Sequence, residues 1–252
     1  MKKVCFNGCS FTVGEGFPEE LRDQYIYDRL VSKYFNYDRT NISEGGSSNY
    51  KIFLRSCDSI LSGQYDIVFT QWSALNRFWL SPGPDASFFL NDEKYPDFRY
   101  KDIYLPEKEK EKFKNTFLLL NHDYQNIFDL IDYCKILNSL ADANQVKIFY
   151  INGIVPWEDD LIKPLQSNLS LSLSQYTKDI LDFDTRDDKE IIKYFTQLQK
   201  KFLTLNKKIW INLFDSFKKS IVDTGPEGHH PGIESHKIMA DKIIEYIVKE
   251  EI

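Results

Sequence analysis

The chain has 252 residues, of which 42% are hydrophobic and 28% are charged, and its net charge is −6. This composition is typical of a soluble globular protein, and the length suits one large domain spanning residues 1–252. The negative charge argues against nucleic acid or an anionic membrane surface as a partner. No apolar run approaches the ~20 residues that a membrane-spanning helix needs.

The chain contains four cysteines, which are Cys5, Cys9, Cys57 and Cys134. Their spacing lacks the paired pattern of a zinc site, so we expect no structural metal. The segment before the first apolar run is too short and too charged for a signal peptide. We therefore expect a cytoplasmic protein with reduced thiols, and the sequence does not indicate an oligomeric state.

Strand and helix patterns alternate along the first part of the chain. The predicted elements are a strand over Val4–Phe6, a helix from Glu19 to Tyr34, a strand over Thr40–Ser43, a helix from Tyr50 to Leu61 and a strand over Tyr65–Trp72. The last strand is apolar almost throughout, as in parallel sheets that are buried on both faces. This order is typical of a doubly wound parallel sheet.

The second part of the chain continues the same alternation. The predicted elements are a long helix over Asn115–Asn144, a strand over Val146–Ile151, a helix over Glu190–Leu205, a short strand over Ile209–Leu213 and a closing helix over Glu234–Val248. The complete pattern predicts a three-layer α/β/α sandwich, flavodoxin-like, with a five-stranded parallel sheet.

Two stretches interrupt this pattern and are interpreted as insertions. The first, residues 81–114, combines four prolines with aromatic residues and a charged run, and it shows no helical or strand period. A stretch of this length is either a disordered insertion or the rim of an active site, and we favour the rim. The second insertion, residues 156–188, is polar and rich in Ser and Leu.

A serine follows the end of the first strand directly. The strand stops at Asn7-Gly8, and Ser10 comes two residues later. In open α/β sheets, ligands bind in the crevice outside the carboxyl ends of the strands, so Ser10 stands where a nucleophile would be placed. Taken alone, this segment is explained equally well as an ordinary strand-to-helix turn with Ser as the cap.

A turn-rich loop before the last helix, residues 223–232, carries two histidines and two acids. A serine hydroxyl is a weak nucleophile unless an imidazole takes its proton, and that imidazole needs a carboxylate on its other nitrogen. Glu227, three residues before His230, can supply this carboxylate. Asp223 is the alternative acid and His229 the alternative base. A solvated loop histidine is the simplest other interpretation.

The chain resembles the SGNH (GDSL-type) hydrolase family over nearly its whole length. The run Gly8-Cys9-Ser10-Phe11-Thr12 is similar to the first block of a branch that begins Gly-Cys-Ser. This resemblance implies that Ser10 is the nucleophile and that its own N–H is an oxyanion donor. His230-Pro231, preceded by Glu227, resembles the fifth block, with Glu in place of the usual Asp.

The resemblance also covers the second and third blocks. Asn41 and Gly46 have the spacing of the second block, which implies that the Gly46 N–H is another oxyanion donor and that Asn49 positions it. At the third block the family has Gly-x-Asn-Asp, whereas residues 71–77 here read Gln-Trp-Ser-Ala-Leu-Asn-Arg.

Branches that begin Gly-Cys-Ser carry a Trp and a downstream Arg at the third block. The resemblance therefore implies that Trp72, Ser73 or Arg77 contributes to the oxyanion or substrate site. The alternatives are core packing for Trp72 and a surface ion pair for Arg77.

The resemblance implies a serine esterase that hydrolyses a small acyl ester, such as an O-acetyl group on a sugar or glycan. It implies no metal and no organic cofactor. Acyl transfer to an alcohol is a second hypothesis within the same chemistry. A third hypothesis, from another class, is a carbohydrate-binding or scaffold protein that keeps the fold without catalysis.

Overall fold

The computed structural model describes residues 1–73, 78–79, 87–90, 96–97, 123–152, 210–212, 221–228 and 230–250. The second insertion, the helix predicted over Glu190–Leu205, and the candidate residues Arg77 and His229 lie outside these residues, as does most of the first insertion.

The described elements follow in the order β1 (Lys3–Asn7), α1 (Ser10–Val13), α2 (Glu19–Tyr25), α3 (Tyr27–Phe35), β2 (Asp38–Asn41), α4 (Asn49–Leu61), β3 (Ile67–Trp72), β4 (Phe78–Trp79), β5 (Ser87–Leu90), β6 (Pro96–Asp97), α5 (Asp123–Asn144), β7 (Lys147–Asn152), β8 (Trp210–Asn212) and α6 (Ile233–Lys249).

A five-stranded parallel sheet forms the centre of the fold, with the strand order β2-β1-β3-β7-β8. All six residues of β3 are buried, because a central strand of a parallel sheet is covered on both faces. Aromatic rings stack across the three central strands, Phe6 on Phe69 at 4.7 Å and Phe69 on Phe149 at 5.0 Å between ring centroids.

Helices cover the sheet in two pairs. α3 packs against α6, and α4 packs against α5. The result is the predicted three-layer α/β/α sandwich, and the five predicted sheet strands are confirmed with ends that differ by at most two residues. Within the described residues, no helix combines the length and the apolar character needed to cross a membrane.

The helix predicted from Glu19 to Tyr34 is wrong as a single element, since it is broken at Ile26. Ile26 has extended backbone angles, φ −69° and ψ 144°, and α2 and α3 lie on either side of it. Its side chain is buried, and a Cβ on Gly14 would overlap it. Tertiary packing at this position overrides the helical periodicity of the sequence.

The first insertion contains two short strands where the sequence pattern predicts no regular element. β4 pairs with β5 and β5 with β6, both antiparallel, as a small sheet separate from the central one. Strands of two to four residues are too short to show a two-residue period, so the pattern could not reveal them.

A buried histidine joins α6 to the start of α3. His236 is fully buried, its ring stacks on Tyr27, and its Nδ1 accepts a hydrogen bond from the Tyr27 backbone N–H at 3.2 Å. Burial lowers the pKa of His236 to about 4, against the opposing attraction of the Asp223 carboxylate. The folded protein therefore holds this imidazole neutral.

We expect the free energy of unfolding to decrease as the pH is lowered, because of His236. The unfolded chain binds a proton at this position below about pH 6.5, whereas the folded chain binds it only near pH 4. Above about pH 6.5 the imidazole is neutral in both states, and the stability that comes from this is fully present. About 3 kcal/mol of the free energy of unfolding is lost as the pH falls to about 4. Urea unfolding of the wild type and of His236→Asn between pH 7 and pH 4 measures it.

Asn keeps a hydrogen-bond acceptor for the Tyr27 N–H but does not titrate in this range. The variant should therefore lose less stability on acidification than the wild type, whatever its stability at pH 7. Parallel stability curves for the two proteins would contradict the assignment.

Candidate active site

Ser10 is the first residue of α1, at the carboxyl end of β1. The residue is 2% exposed, and its carbonyl accepts hydrogen bonds from the N–H groups of Gly14 and Glu15, each at 3.0 Å. Gly14 ends the helix with φ 75°, a conformation that glycine adopts without strain. A Cβ on Gly8 would overlap the Thr12 side chain, so the turn before Ser10 also requires glycine.

The short helix that begins at Ser10 is anchored by buried side chains. The Thr12 hydroxyl is hydrogen-bonded to the Tyr27 hydroxyl at 2.8 Å and to Gln71 Oε1. Asn41 Nδ2 donates to the Thr12 carbonyl at 2.8 Å and to Asp28 Oδ2 at 2.8 Å. These bonds connect α1 to β2, β3 and α3, so the backbone next to Ser10 is held from several sides.

Asn41 lies in a buried polar cluster centred on Asp28. Asp28 is fully buried, and its Oδ2 also accepts a 2.6 Å hydrogen bond from Arg39. Burial raises the pKa of Asp28, while Arg39 and Asn41 act in the opposite direction. Asn41 therefore connects α1 with Asp28, and this is a structural task.

The loop over residues 223–232 folds back on itself as a tight hairpin. Thr224 bridges to Pro231, and the Gly225 N–H donates to the His230 carbonyl at 2.9 Å. Within this turn, His230 Nδ1 lies 2.7 Å from Glu227 Oε1. The structure thus brings together the histidine and the acid that the sequence pairs by their three-residue spacing.

Asp223, the alternative acid, has a different position. Its Oδ2 accepts a hydrogen bond from the Glu234 N–H at 3.0 Å, and its Oδ1 accepts from the N–H and the hydroxyl of Ser235, each at 2.7 Å. Burial acts to raise the pKa of Asp223, but these hydrogen bonds outweigh it and hold the pKa below its ordinary value. Asp223 caps the N-terminus of α6.

The hairpin docks on the segment that carries Ser10. The His230 ring meets the Phe11 ring edge-on, with ring centroids 5.9 Å apart. A Cβ on Gly16 would lie 2.9 Å from both His230 Cβ and Glu227 Oε1, so glycine is what allows the close approach. The two ring nitrogens of His230 face carboxylates, Nδ1 that of Glu227 and Nε2 that of Glu15.

The second ring nitrogen of His230 faces a residue that the sequence patterns do not single out. Glu15 Oε2 lies 3.5 Å from His230 Nε2. The Glu15 carboxylate reaches this point across Gly45, where any side chain would overlap it. The available signal was the position of Glu15 directly after Gly14, the residue that ends α1, but no spacing rule connects it to His230.

The loop of the second block lies beside the turn that precedes Ser10. Gly46 has φ 70°, and the Ser47 hydroxyl and N–H both donate to the Glu44 carbonyl, at 2.9 and 3.4 Å. The Glu44 N–H approaches the Gly8 carbonyl at 3.4 Å. The loop that carries Gly46 is therefore a neighbour of the loop that carries Ser10.

Asn49 and Ser73 hold the third-block segment against the start of α4. The Ser73 N–H donates to Asn49 Oδ1 at 2.7 Å, and Asn49 Nδ2 donates to the Ser73 carbonyl at 3.3 Å. The Ser73 hydroxyl is buried and has no hydrogen-bond partner among the described residues. Asn49 thus positions the end of β3, beside the Gly46 loop.

Trp72 is placed differently from the expectation that it lines the substrate site. Its side chain is 1% exposed and stacks on Tyr150, with 5.8 Å between ring centroids. The residue belongs to the core because β3 alternates its side chains between two covered faces. This environment favours the alternative of core packing for Trp72.

The described residues contain no group of three or more His, Cys, Asp or Glu side chains that could hold a metal ion. The chemistry that the described site can support is proton transfer at His230, with carboxylates on either side of the ring and a serine hydroxyl on the neighbouring helix.

No protein-family model and no curated protein sequence matches this chain. Solved structures do resemble it. A psychrotrophic esterase from a Pseudoalteromonas species, inhibited by monoethylphosphonate, is 11% identical with a TM-score of 0.48, and the alignment covers 100% of this chain and 99% of that one.

Two further solved structures show similarity at the same level. A catalytic mutant of an acetylxylan esterase from Geobacillus stearothermophilus is 12% identical with a TM-score of 0.47, covering 98% of this chain and 94% of that one. A GDSL-like lipase from Bacteroides thetaiotaomicron is 16% identical with a TM-score of 0.44, covering 99% and 89%.

The two acids of the hairpin should differ in their effect on stability. Asp223→Ala removes the cap of α6 and should lower the free energy of unfolding by about 1–2 kcal/mol. Glu227→Ala removes a partner of a partly exposed ring and should change it by less than about 1 kcal/mol. Chemical unfolding of both variants at pH 7 makes the comparison. Equal losses would show that the cap does not have the role assigned to it.

Proposed function

We propose that this protein is a serine esterase in which Ser10 is the nucleophile, His230 the general base and Glu227 the acid that orients it. The observation that carries the proposal is the docking of the His230–Glu227 pair against Phe11, which lies in the Ser10 helix, and against Gly16, which follows that helix.

In the proposed reaction, Ser10 Oγ attacks the acyl carbonyl carbon while His230 Nε2 takes the hydroxyl proton. The carbonyl oxygen becomes an oxyanion, which the backbone N–H groups of Ser10 and Gly46 stabilise. The tetrahedral intermediate then collapses. The ester bond breaks, His230 returns the proton to the leaving alcohol, and Ser10 holds the acyl group. Water, activated by the same imidazole, releases the acid.

The contact between His230 and Glu15 has a consequence for this reaction. A carboxylate oxygen only accepts hydrogen bonds, so a ring nitrogen that bonds to it must carry a proton. A general base needs the same nitrogen without its proton. In the proposed mechanism, the reacting ring is therefore neutral and carries its single proton on Nδ1, which donates to Glu227, so that Nε2 leaves Glu15 and accepts a hydrogen bond from the Ser10 hydroxyl.

The proposed substrate is a small acyl ester, such as an O-acetyl group on a carbohydrate. The near-complete burial of Ser10 supports a small acyl group. The carbohydrate part rests on the resemblance of the sequence blocks alone.

The test is hydrolysis of p-nitrophenyl acetate by the full chain. Ser10→Ala and His230→Ala should each lower kcat/KM by at least about a thousandfold, because nucleophile and base act as one unit. Ser139→Ala, an exposed serine on α5, is the matched control and should keep full activity. A fluorophosphonate probe should label the wild type and the control at Ser10 but not Ser10→Ala.

A wild-type protein that neither hydrolyses the ester nor reacts with the probe would contradict the proposal and favour the scaffold hypothesis. Activity that survives in Ser10→Ala would place the nucleophile elsewhere.

The acid is assigned by a second pair of variants. Glu227→Gln keeps the size of the side chain but loses the charge that stabilises the imidazolium, so kcat should fall by roughly a hundredfold or more. Asp223→Asn should retain most of the activity, because that carboxylate binds the N-terminus of α6. The kinetics are measured at a temperature where both variants are folded. The opposite order of losses would assign the role to Asp223.

A further inference from the structure

Arg55, on α4, makes hydrogen bonds to both loops beside the proposed active site. Its Nη2 donates to the Gly8 carbonyl at 3.1 Å and to the Ser47 hydroxyl at 2.7 Å. Its Nε donates to Asn7 Oδ1 at 3.1 Å, and its Nη1 donates to Glu44 Oε2 at 2.6 Å. One guanidinium group thus connects the turn after β1 with the loop after β2.

These two loops carry the two proposed oxyanion donors. Gly8 lies two residues before Ser10, and Ser47 directly follows Gly46. The direct backbone contact between the loops, from the Glu44 N–H to the Gly8 carbonyl, is long at 3.4 Å. The shorter bonds that hold the loops together pass through Arg55.

The residue type suits this task. The guanidinium is a planar group with donors in a fixed fork, so it can bond to several acceptors that lie in different directions. The Arg55 side chain is only 18% exposed, which shields its bonds from water and from salt. A lysine has a single ammonium head and cannot span the same four acceptors.

β1 has its own anchor on α4, independent of Arg55. Asn7 Nδ2 donates to the Ile52 carbonyl at 2.7 Å and to the Ser56 hydroxyl at 2.8 Å. Loss of Arg55 should therefore release the loop over residues 44–47 while the end of β1 stays in place. The expected effect is a change in the position of one loop relative to the other.

We propose that Arg55 is a positioning residue that sets the distance between the Ser10 and Gly46 N–H groups. This inference rests on the proposed function, since it concerns the oxyanion site of that reaction. Arg55 contacts no reacting atom and acts through the backbone. Oxyanion donors stabilise the charge that develops in the transition state, so misplacing one should lower kcat more than it weakens substrate binding.

Lys51 provides a matched control on the same helix. Its Nζ lies 3.7 Å from Glu44 Oε2, the carboxylate oxygen that Arg55 also binds. Lys51→Met therefore removes a positive charge beside Glu44 and keeps the Arg55 bonds to Gly8 and Ser47.

The experiment compares Arg55→Lys, Arg55→Met and Lys51→Met with the wild type, using the full chain. We expect both Arg55 variants to lower kcat for p-nitrophenyl acetate about 10- to 100-fold with little change in KM, as a small misplacement of catalytic groups does. Hydrogen–deuterium exchange at the Gly46 and Ser47 amides should become faster in the same variants. Lys51→Met should match the wild type in both measurements.

If Arg55→Met fails to fold, Ser47→Ala tests the same link with Arg55 in place, because it removes the 2.7 Å bond from Arg55 Nη2 to the Ser47 hydroxyl. The variant should show the lower kcat and the faster amide exchange to a smaller extent. Unchanged kcat and unchanged exchange in the Arg55 variants would overturn the inference. Equal losses in Lys51→Met would also overturn it, because charge alone would then be responsible. A wild type without esterase activity would refute the proposed function and the catalytic part of this inference, and exchange would then decide the structural part.

Discussion

The candidate site depends on one close backbone contact between the two ends of the chain. A Cβ on Gly225 would lie 2.5 Å from the Gly16 carbonyl oxygen, and a Cβ on Gly16 would meet Glu227 and His230 at 2.9 Å. Gly16 also has φ 97°, which side chains with a Cβ rarely tolerate. The absence of side chains at these two positions lets the hairpin lie flat against the segment after α1. This close approach places the His230 imidazole beside the helix that begins at Ser10.

The sheet edge at this site is unusually rich in buried polar groups. Thr12, Asn41 and Asp28 are bonded to one another or to backbone, and Arg39 neutralises the buried carboxylate. Such a network is costly unless nearly every member is paired, and a paired network holds its members in one arrangement. The gain is rigidity of the backbone that carries Ser10, the proposed nucleophile, and its N–H, a proposed oxyanion donor.

Two carboxylates in a ten-residue loop perform separate tasks. Asp223 caps α6 and so fixes where the hairpin starts, while Glu227 binds the ring of His230 within the hairpin. Arg55 has a comparable supporting role on the other side of the site, where it connects the loops of the two proposed oxyanion donors. Supporting side chains of this kind are not proposed reacting groups themselves, yet they fix the positions of the loops that carry those groups.

The sequence alone determined the sheet strands and the helices α4 and α6, and it offered Glu227 as the partner of His230 with Asp223 as the alternative, because each depends on residues close together in the chain. Apolar periodicity marks an element that is buried, and a three-residue spacing in a turn brings two side chains together. The tertiary structure decided the break at Ile26, the burial of Trp72 and the position of Glu15 at His230 Nε2. Each of these is set by neighbours that are distant in sequence, and a local pattern contains no information about which distant residues will fill the adjoining space.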